Sequence, residues 1–188
     1  MMLLLTLRGT PTIYYGDEIG MLDVNIPPEL EQDPWGKNVA GIGLGRDPER
    51  TPMQWDDSPN AGFSPSGVAT WLPVANDYAK VNVATELNDP RSMLSLTRRL
   101  LALRRTTAAL HSGSYQTVKH PHDTCLVFMR QQDSERWLVA LNFAASDQTL
   151  SIGGTGQIVL STELDREEAV NLGALQLRAY EGCIIKLD

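Results

Sequence analysis

The spacing of apolar residues changes once along this chain, from helical to alternating, close to Leu110. Met1-Met-Leu-Leu-Leu-Thr-Leu is an apolar run closed by Arg8 and Gly9, with Pro11 just beyond, and it predicts the end of a buried helix. Thr12-Ile-Tyr-Tyr is β-branched and aromatic and lies between Pro11 and Gly16, which predicts a short buried strand. Helix, tight turn and strand make one αβ unit, the repeating element of a (β/α) barrel. Farther on, Asp89-Pro-Arg-Ser opens a second helix running to about Arg105. Met93, Leu96, Thr97, Leu100 and Leu103 form its stripe and Leu94 and Leu101 widen it, while Arg98, Arg99, Arg104 and Arg105 suit the negative end of the helix dipole.

Beyond Leu110 the runs are short and alternating. Leu126 to Arg130, Trp137 to Phe143, Gln148 to Ile152, Gln157 to Leu160 and Gly182 to Leu187 predict strands separated by Gly, Asp and Ser turns, with Pro121-His122-Asp123 as a hairpin turn. An antiparallel β-sandwich is the natural assembly of such strands. Between the two helical patterns, from Gly20 to about Lys80, the chain is loop-like, and nine of its 11 prolines precede Val74. This predicts a large excursion folded over a barrel mouth, because Trp35, Trp55, Phe63 and Trp71 need something to pack on.

Within the excursion, Gly45 to Phe63 is stiffened by Pro48, Pro52 and Pro59, so neither a helix nor a central strand can run through it. Arg46, Arg50, Gln54, Trp55 and Phe63 stand among acids there. Flat apolar faces mixed with forked donors suit the gripping of polar rings such as sugars, and long irregular segments of this kind carry function.

Length and composition narrow the field without choosing within it. The chain has 188 residues, 42% hydrophobic and 21% charged, which fits one or two soluble globular domains. A net charge of −7 argues against nucleic-acid and anionic-membrane partners and favours a neutral substrate. Cys125 and Cys183 lie in apolar, strand-like runs and are expected as buried free thiols. Met1 to Leu7 lacks a basic leader and is too short to span a bilayer, so a cytoplasmic chain is expected. No Cys/His metal pattern, phosphate-binding glycine loop or nucleophilic serine motif is present, and neither metal nor cofactor is expected.

Two stretches go further. Arg50-Thr-Pro-Met-Gln-Trp-Asp followed by Asn60-Ala-Gly-Phe, and Gly9-Thr-Pro-Thr-Ile-Tyr-Tyr-Gly-Asp-Glu-Ile-Gly-Met21, resemble in family order two segments of the α-glucosidase branch of glycoside hydrolase family 13, the α-amylase family. The resemblance implies α/β plus all-β architecture. Residues 1–109 would be the last strand, substrate loop and last helix of a (β/α)8 barrel, and 110–188 the C-terminal antiparallel β-sandwich. It also implies retaining hydrolysis or transfer of α-glucosyl groups from oligosaccharides, by two carboxylates about 5 Å apart across the bond.

In that family the nucleophilic Asp, the acid/base Glu and a third Asp follow earlier barrel strands, and no Asn-His-Asp occurs here. The resemblance therefore implies a C-terminal part without catalytic residues of its own, inactive alone and acting on α-glucosides only within a longer enzyme. Arg46 best matches the family arginine that hydrogen-bonds the terminal glucose. Arg50 is the alternative, although its place in the run suggests bracing of the loop through an ion pair. Asp17 either points into the site or accepts hydrogen bonds from loop backbone or from an arginine such as Arg46. Gln54, Trp55 and Phe63 are expected as support beneath the loop. Two rival readings come from other classes. One is a non-catalytic carbohydrate-binding or interaction protein; the other is a relative of amino-acid transporter heavy chains, which share this branch without being glycosidases.

Overall fold

A computed structural model describes residues 1–39 and 45–188. Five helices occur among them: α1 (Met2–Thr6), α2 (Pro34–Asn38), α3 (Val83–Glu86), α4 (Met93–Thr106) and α5 (Ala108–His111). Eight strands follow: β1 (Ser114–Thr117), β2 (Cys125–Gln132), β3 (Glu135–Asn142), β4 (Gln148–Leu150), β5 (Thr155–Ser161), β6 (Ala169–Asn171), β7 (Leu175–Leu177) and β8 (Gly182–Leu187). The chain divides into two compact units, Met1–Thr12 with Leu96–Asp188, and Ile13–Ser95.

In the first unit, β1-β2-β3-β8-β5-β6 form one sheet and β4-β7 a second. Every pairing is antiparallel. Side chains alternate across a strand, so Val127, Leu138, Ala140, Ile158, Cys183 and Ile185 share one face, where Leu150, Leu175 and Leu177 of the small sheet close the core. This is the expected β-sandwich, and β1 to β2 is the hairpin whose turn holds Pro121-His122-Asp123. The sequence pattern missed β1, β6 and β7, which are short and mostly exposed or flanked by a 3-10 turn.

The opposite face of β2 carries Phe128 and Arg130, both fully buried. Among the described residues Arg130 has no carboxylate partner. Its Nη1 donates to the Thr6 carbonyl, its Nη2 to Gly113 at 3.1 Å and its Nε to Ser114 at 3.1 Å. Arg104 behaves alike, donating to the carbonyls of Leu5 at 2.8 Å, Leu7 at 3.1 Å and Gly9 at 2.6 Å. Two guanidinium groups thus satisfy the carbonyls that the end of α1 leaves without helical partners.

The stripe of α4 is correspondingly rotated from the expected one. Leu94, Leu96, Thr97, Leu100 and Arg104 are buried, while Met93 and Leu101 are exposed, because a buried arginine takes an inner position. The helix also starts later than expected. Ser92 Oγ accepts the Ser95 N–H at 3.1 Å and Glu86 Oε2 accepts the Leu94 N–H at 2.9 Å, so these two cap α4 and Asp89 closes only a turn onto Arg91 N. Burial raises the Glu86 carboxyl above its ordinary pKa.

At the start of the second unit, Ile13 to Tyr15, with Thr12 just before it, forms no ladder with any described strand. A parallel barrel strand needs neighbours on both edges; none pairs with this stretch among the described residues, and Tyr15 opens a turn. Ile19, Met53 and Leu94 form the small core of this unit, with Met21 and Val83 packed on it.

Candidate functional site

The two stretches that the sequence singles out meet in the second unit. Tyr15 donates its hydroxyl to the Thr51 carbonyl at 3.0 Å, and Ile19 and Met21 share a core with Met53. Partial burial, reinforced by Tyr14, raises the Tyr15 pKa, while Arg50 nearby opposes the shift. Tyr14 and Tyr15 lie ring to ring at 4.8 Å. Arg50 is therefore beside Tyr15, and the bracing ion pair expected of it is not found among the described residues.

Asp17 lies in a 3-10 turn, Asp17–Ile19. Its carboxylate accepts the Tyr14 N–H at 2.9 Å, the backbone role foreseen as one alternative. Glu18 accepts from Gly16 N at 2.8 Å, which holds the left-handed Gly16 in the turn.

Arg46 is fixed by a residue that the sequence reading did not single out. Asp33 caps α2 through Trp35 N and receives three further bonds from Arg46, from its N–H at 2.8 Å, Nε at 2.9 Å and Nη2 at 3.1 Å. The guanidinium hydrogen bonds hold Asp33 far below the usual carboxylate range, and the same pair raises Arg46. The Asp33 side chain is fully buried while that of Arg46 is 52% exposed, so the carboxylate anchors a cation whose outer edge faces solvent. Asp47 completes the frame by accepting the N–H groups of Gln32 at 2.5 Å and Asp33 at 2.8 Å, and its buried Oδ1 has no partner among the described residues. An Asp before Pro34 is a helix-start signal from which Asp33 was legible.

Gln54 lies within the loop. It is fully buried and donates to Val81 O at 2.5 Å and Asp77 at 3.3 Å. Trp55 and Phe63 do not pack beneath it as expected, because they are 50% and 52% exposed. The reason lies in the turn between them, where Asn60, Ala61 and Gly62 are successively left-handed. Trp55 N bonds to Ala61 O at 2.8 Å, and the Asn60 amide donates to Ser64, Pro65 and Val68. That reversal turns both rings outward.

Among the described residues no group of three His, Cys, Asp or Glu side chains could hold a metal ion, and no helix is long and apolar enough to cross a membrane. Both cysteines are free, Cys183 buried and Cys125 partly so.

The chain is similar to known proteins along nearly its whole length. The oligo-1,6-glucosidase of Parageobacillus thermoglucosidasius is 30% identical over 96% of this chain and 36% of its own length. The amino acid transporter heavy chain SLC3A1 of Mus musculus is 34% identical over 98% of this chain and 27% of its own. In three dimensions the trehalulose synthase MutB from Pseudomonas mesoacidophila MX-45 superimposes with a TM-score of 0.87 at 30% identity, covering 100% of this chain and 37% of that one. The chain thus spans only 27% to 37% of the length of these relatives. The first part of the chain is the closing segment of a (β/α)8 barrel, and the rest is the sandwich. Residues 1–113 match the α-amylase catalytic domain, and the chain belongs to the α-amylase family, glycoside hydrolase family 13.

Proposed function

We propose that this chain is the C-terminal part of a retaining α-glucosidase, in which residues 1–109 end the barrel and shape the sugar pocket and 110–188 form the sandwich domain. Its relatives include oligo-1,6-glucosidases and α-glucosidases, and a MutB mutant is known in complex with the substrate sucrose. The observation that carries the reading is the clamp of Arg46 by the buried Asp33. Nε and one edge of the guanidinium are committed to the carboxylate, and the outward Nη donors are aimed without further ordering cost. Such preorganised, charged donors suit the hydroxyl oxygens of a terminal glucosyl unit. Arg50, beside Tyr15, is the second candidate contact.

The nucleophile, the acid/base and the third carboxylate belong upstream, so the chain alone is inactive. The free thiols fit a reducing, cytoplasmic setting. The test is glucose release from maltose, isomaltose and sucrose by the purified chain, with none expected. Turnover that disappears in Arg46→Ala would overturn the reading. The likeness to SLC3A1 favours a second reading, a non-catalytic binding or interaction protein, and saturable maltose binding by the isolated chain without turnover would support it instead.

A further inference from the structure

Arg104 and Pro11, with His111, stand in the wall shared by two adjoining open pockets of the first unit, of about 330 and about 470 Å³. Arg8, Thr10 and Ser112 line the first, and Arg105 the second beside the apolar Leu101 and Ala102. No carboxylate lines either pocket, in a chain whose net charge is −7. Among the described residues Arg46, Arg99, Arg166 and Arg178 are paired with acids, whereas Arg8, Arg104 and Arg105, like Arg50, Arg91 and Arg98 elsewhere, have no such pair.

The positive charge here is uncompensated by a second measure. Arg130 lies fully buried, and after burial itself the charges of Arg104 and Arg8 press its guanidinium below its ordinary pKa. Arg104 is already immobilised by three backbone carbonyls, so two of its five donors are left over in a fixed direction. Gly9 has φ +119, and a Cβ built there meets nothing within 4 Å, so the backbone wall is open to a ligand.

We infer that Arg8, Arg104, Arg105 and His111 form a binding site for a phosphoryl dianion, with Leu101, Ala102 and Pro11 accommodating the organic part of a phosphate monoester. Guanidinium forks match phosphoryl oxygens in geometry and charge, and a ligand of two charges offsets the mutual repulsion of the three arginines. The apolar wall beside the cations makes an ester a better fit than the free ion. The site shares no residue with the Arg46 loop.

Titration calorimetry of the full chain, with inorganic phosphate and with a hexose 6-phosphate against chloride at equal ionic strength, tests the assignment. Saturable binding is expected, tighter for the ester. Arg8→Ala and Arg105→Ala should each weaken it roughly fivefold or more, with unchanged circular dichroism because both side chains are exposed and unpaired. Arg99→Ala, on the same helix but paired with Glu167, and Arg46→Ala should leave it unchanged. Three results overturn the assignment: heats no greater than those of chloride, equal losses in Arg99→Ala and Arg105→Ala, or binding of inorganic phosphate with no binding of the ester. Because Arg46→Ala is silent here, failure of this site is distinct from failure of the sugar-loop reading.

Discussion

Asp33 holds Arg46 by two side-chain bonds, Nε to Oδ2 at 2.9 Å and Nη2 to Oδ1 at 3.1 Å, while also capping α2. One carboxylate therefore sets both a helix start and the direction of the candidate sugar-binding cation. Asp33→Ala removes both functions. Amide exchange at Trp35 and Arg46 should accelerate roughly tenfold or more, whereas Asp33→Asn, which keeps the cap acceptor, should accelerate Arg46 far more than Trp35. Hydrogen exchange read by NMR separates the two, and equal protection of Arg46 in wild type and Asp33→Ala would contradict the clamp.

The turn that exposes Trp55 and Phe63 depends on Gly62. Its φ is +67, and an added Cβ would meet the Asp56 carboxylate at 2.6 Å. Gly62→Ala should destabilise the second unit by about 1–3 kcal/mol, read as a lowered urea midpoint, with Ala61→Gly close to neutral. An unchanged midpoint for Gly62→Ala would show that the turn is not built this way.

Arg130 is buried without a counter-ion among the described residues and satisfies three carbonyls. Arg130→Met leaves those carbonyls unpaired in the interior and should cost about 3–5 kcal/mol. Arg130→Lys, which replaces a fork by a point charge, should recover only part of that. Denaturant unfolding followed by circular dichroism gives both values. Full recovery in the lysine variant would mean that charge, not forked geometry, is what the site needs.

Acid should loosen the sandwich at a defined place. The hydrogen bonds from Arg178 pull the Asp165 carboxyl down to about 2 from an ordinary 3.8, and Glu181, between Arg166 and Arg178, is lowered as well. A depressed native pKa contributes stability above the unfolded value and loses it as pH falls through the native one. The Asp165 contribution should therefore be complete above about pH 4 and fade toward pH 2. A pH series of thermal melts should show a flatter acid limb in Asp165→Asn; identical limbs would remove Asp165 from the account.

Burial pushes the Cys183 thiol up to about 12, and desolvation also raises Cys125, which is partly exposed. Only the thiolate reacts, so an aromatic disulfide reagent at pH 8 should label Cys125 first and Cys183 only at the rate of unfolding. Mass spectrometry of timed samples reads the order. Equal labelling in folded protein would contradict the buried position of Cys183.

Local order alone settled a good deal of this molecule. The apolar run ending at Arg8-Gly9, the period of Met93 to Thr106 and the alternation after Leu110 each specify an element, because a helix or a half-buried strand shows its type in its own residues, although the buried face of Met93 to Thr106 turned out rotated. Long motifs with fixed glycines and prolines were equally legible, since their turns are encoded in adjacent residues. Partners far apart in sequence were not. Nothing in a run of arginines distinguishes Arg104, spent on Leu5, Leu7 and Gly9, from the exposed Arg105, and the strand expected at Thr12 to Tyr15 has no described neighbour to bond. Asp33 lies 13 residues from Arg46 and Tyr15 lies 36 from Thr51. Those pairings depend on where the loop returns in space, and only the tertiary structure decided them.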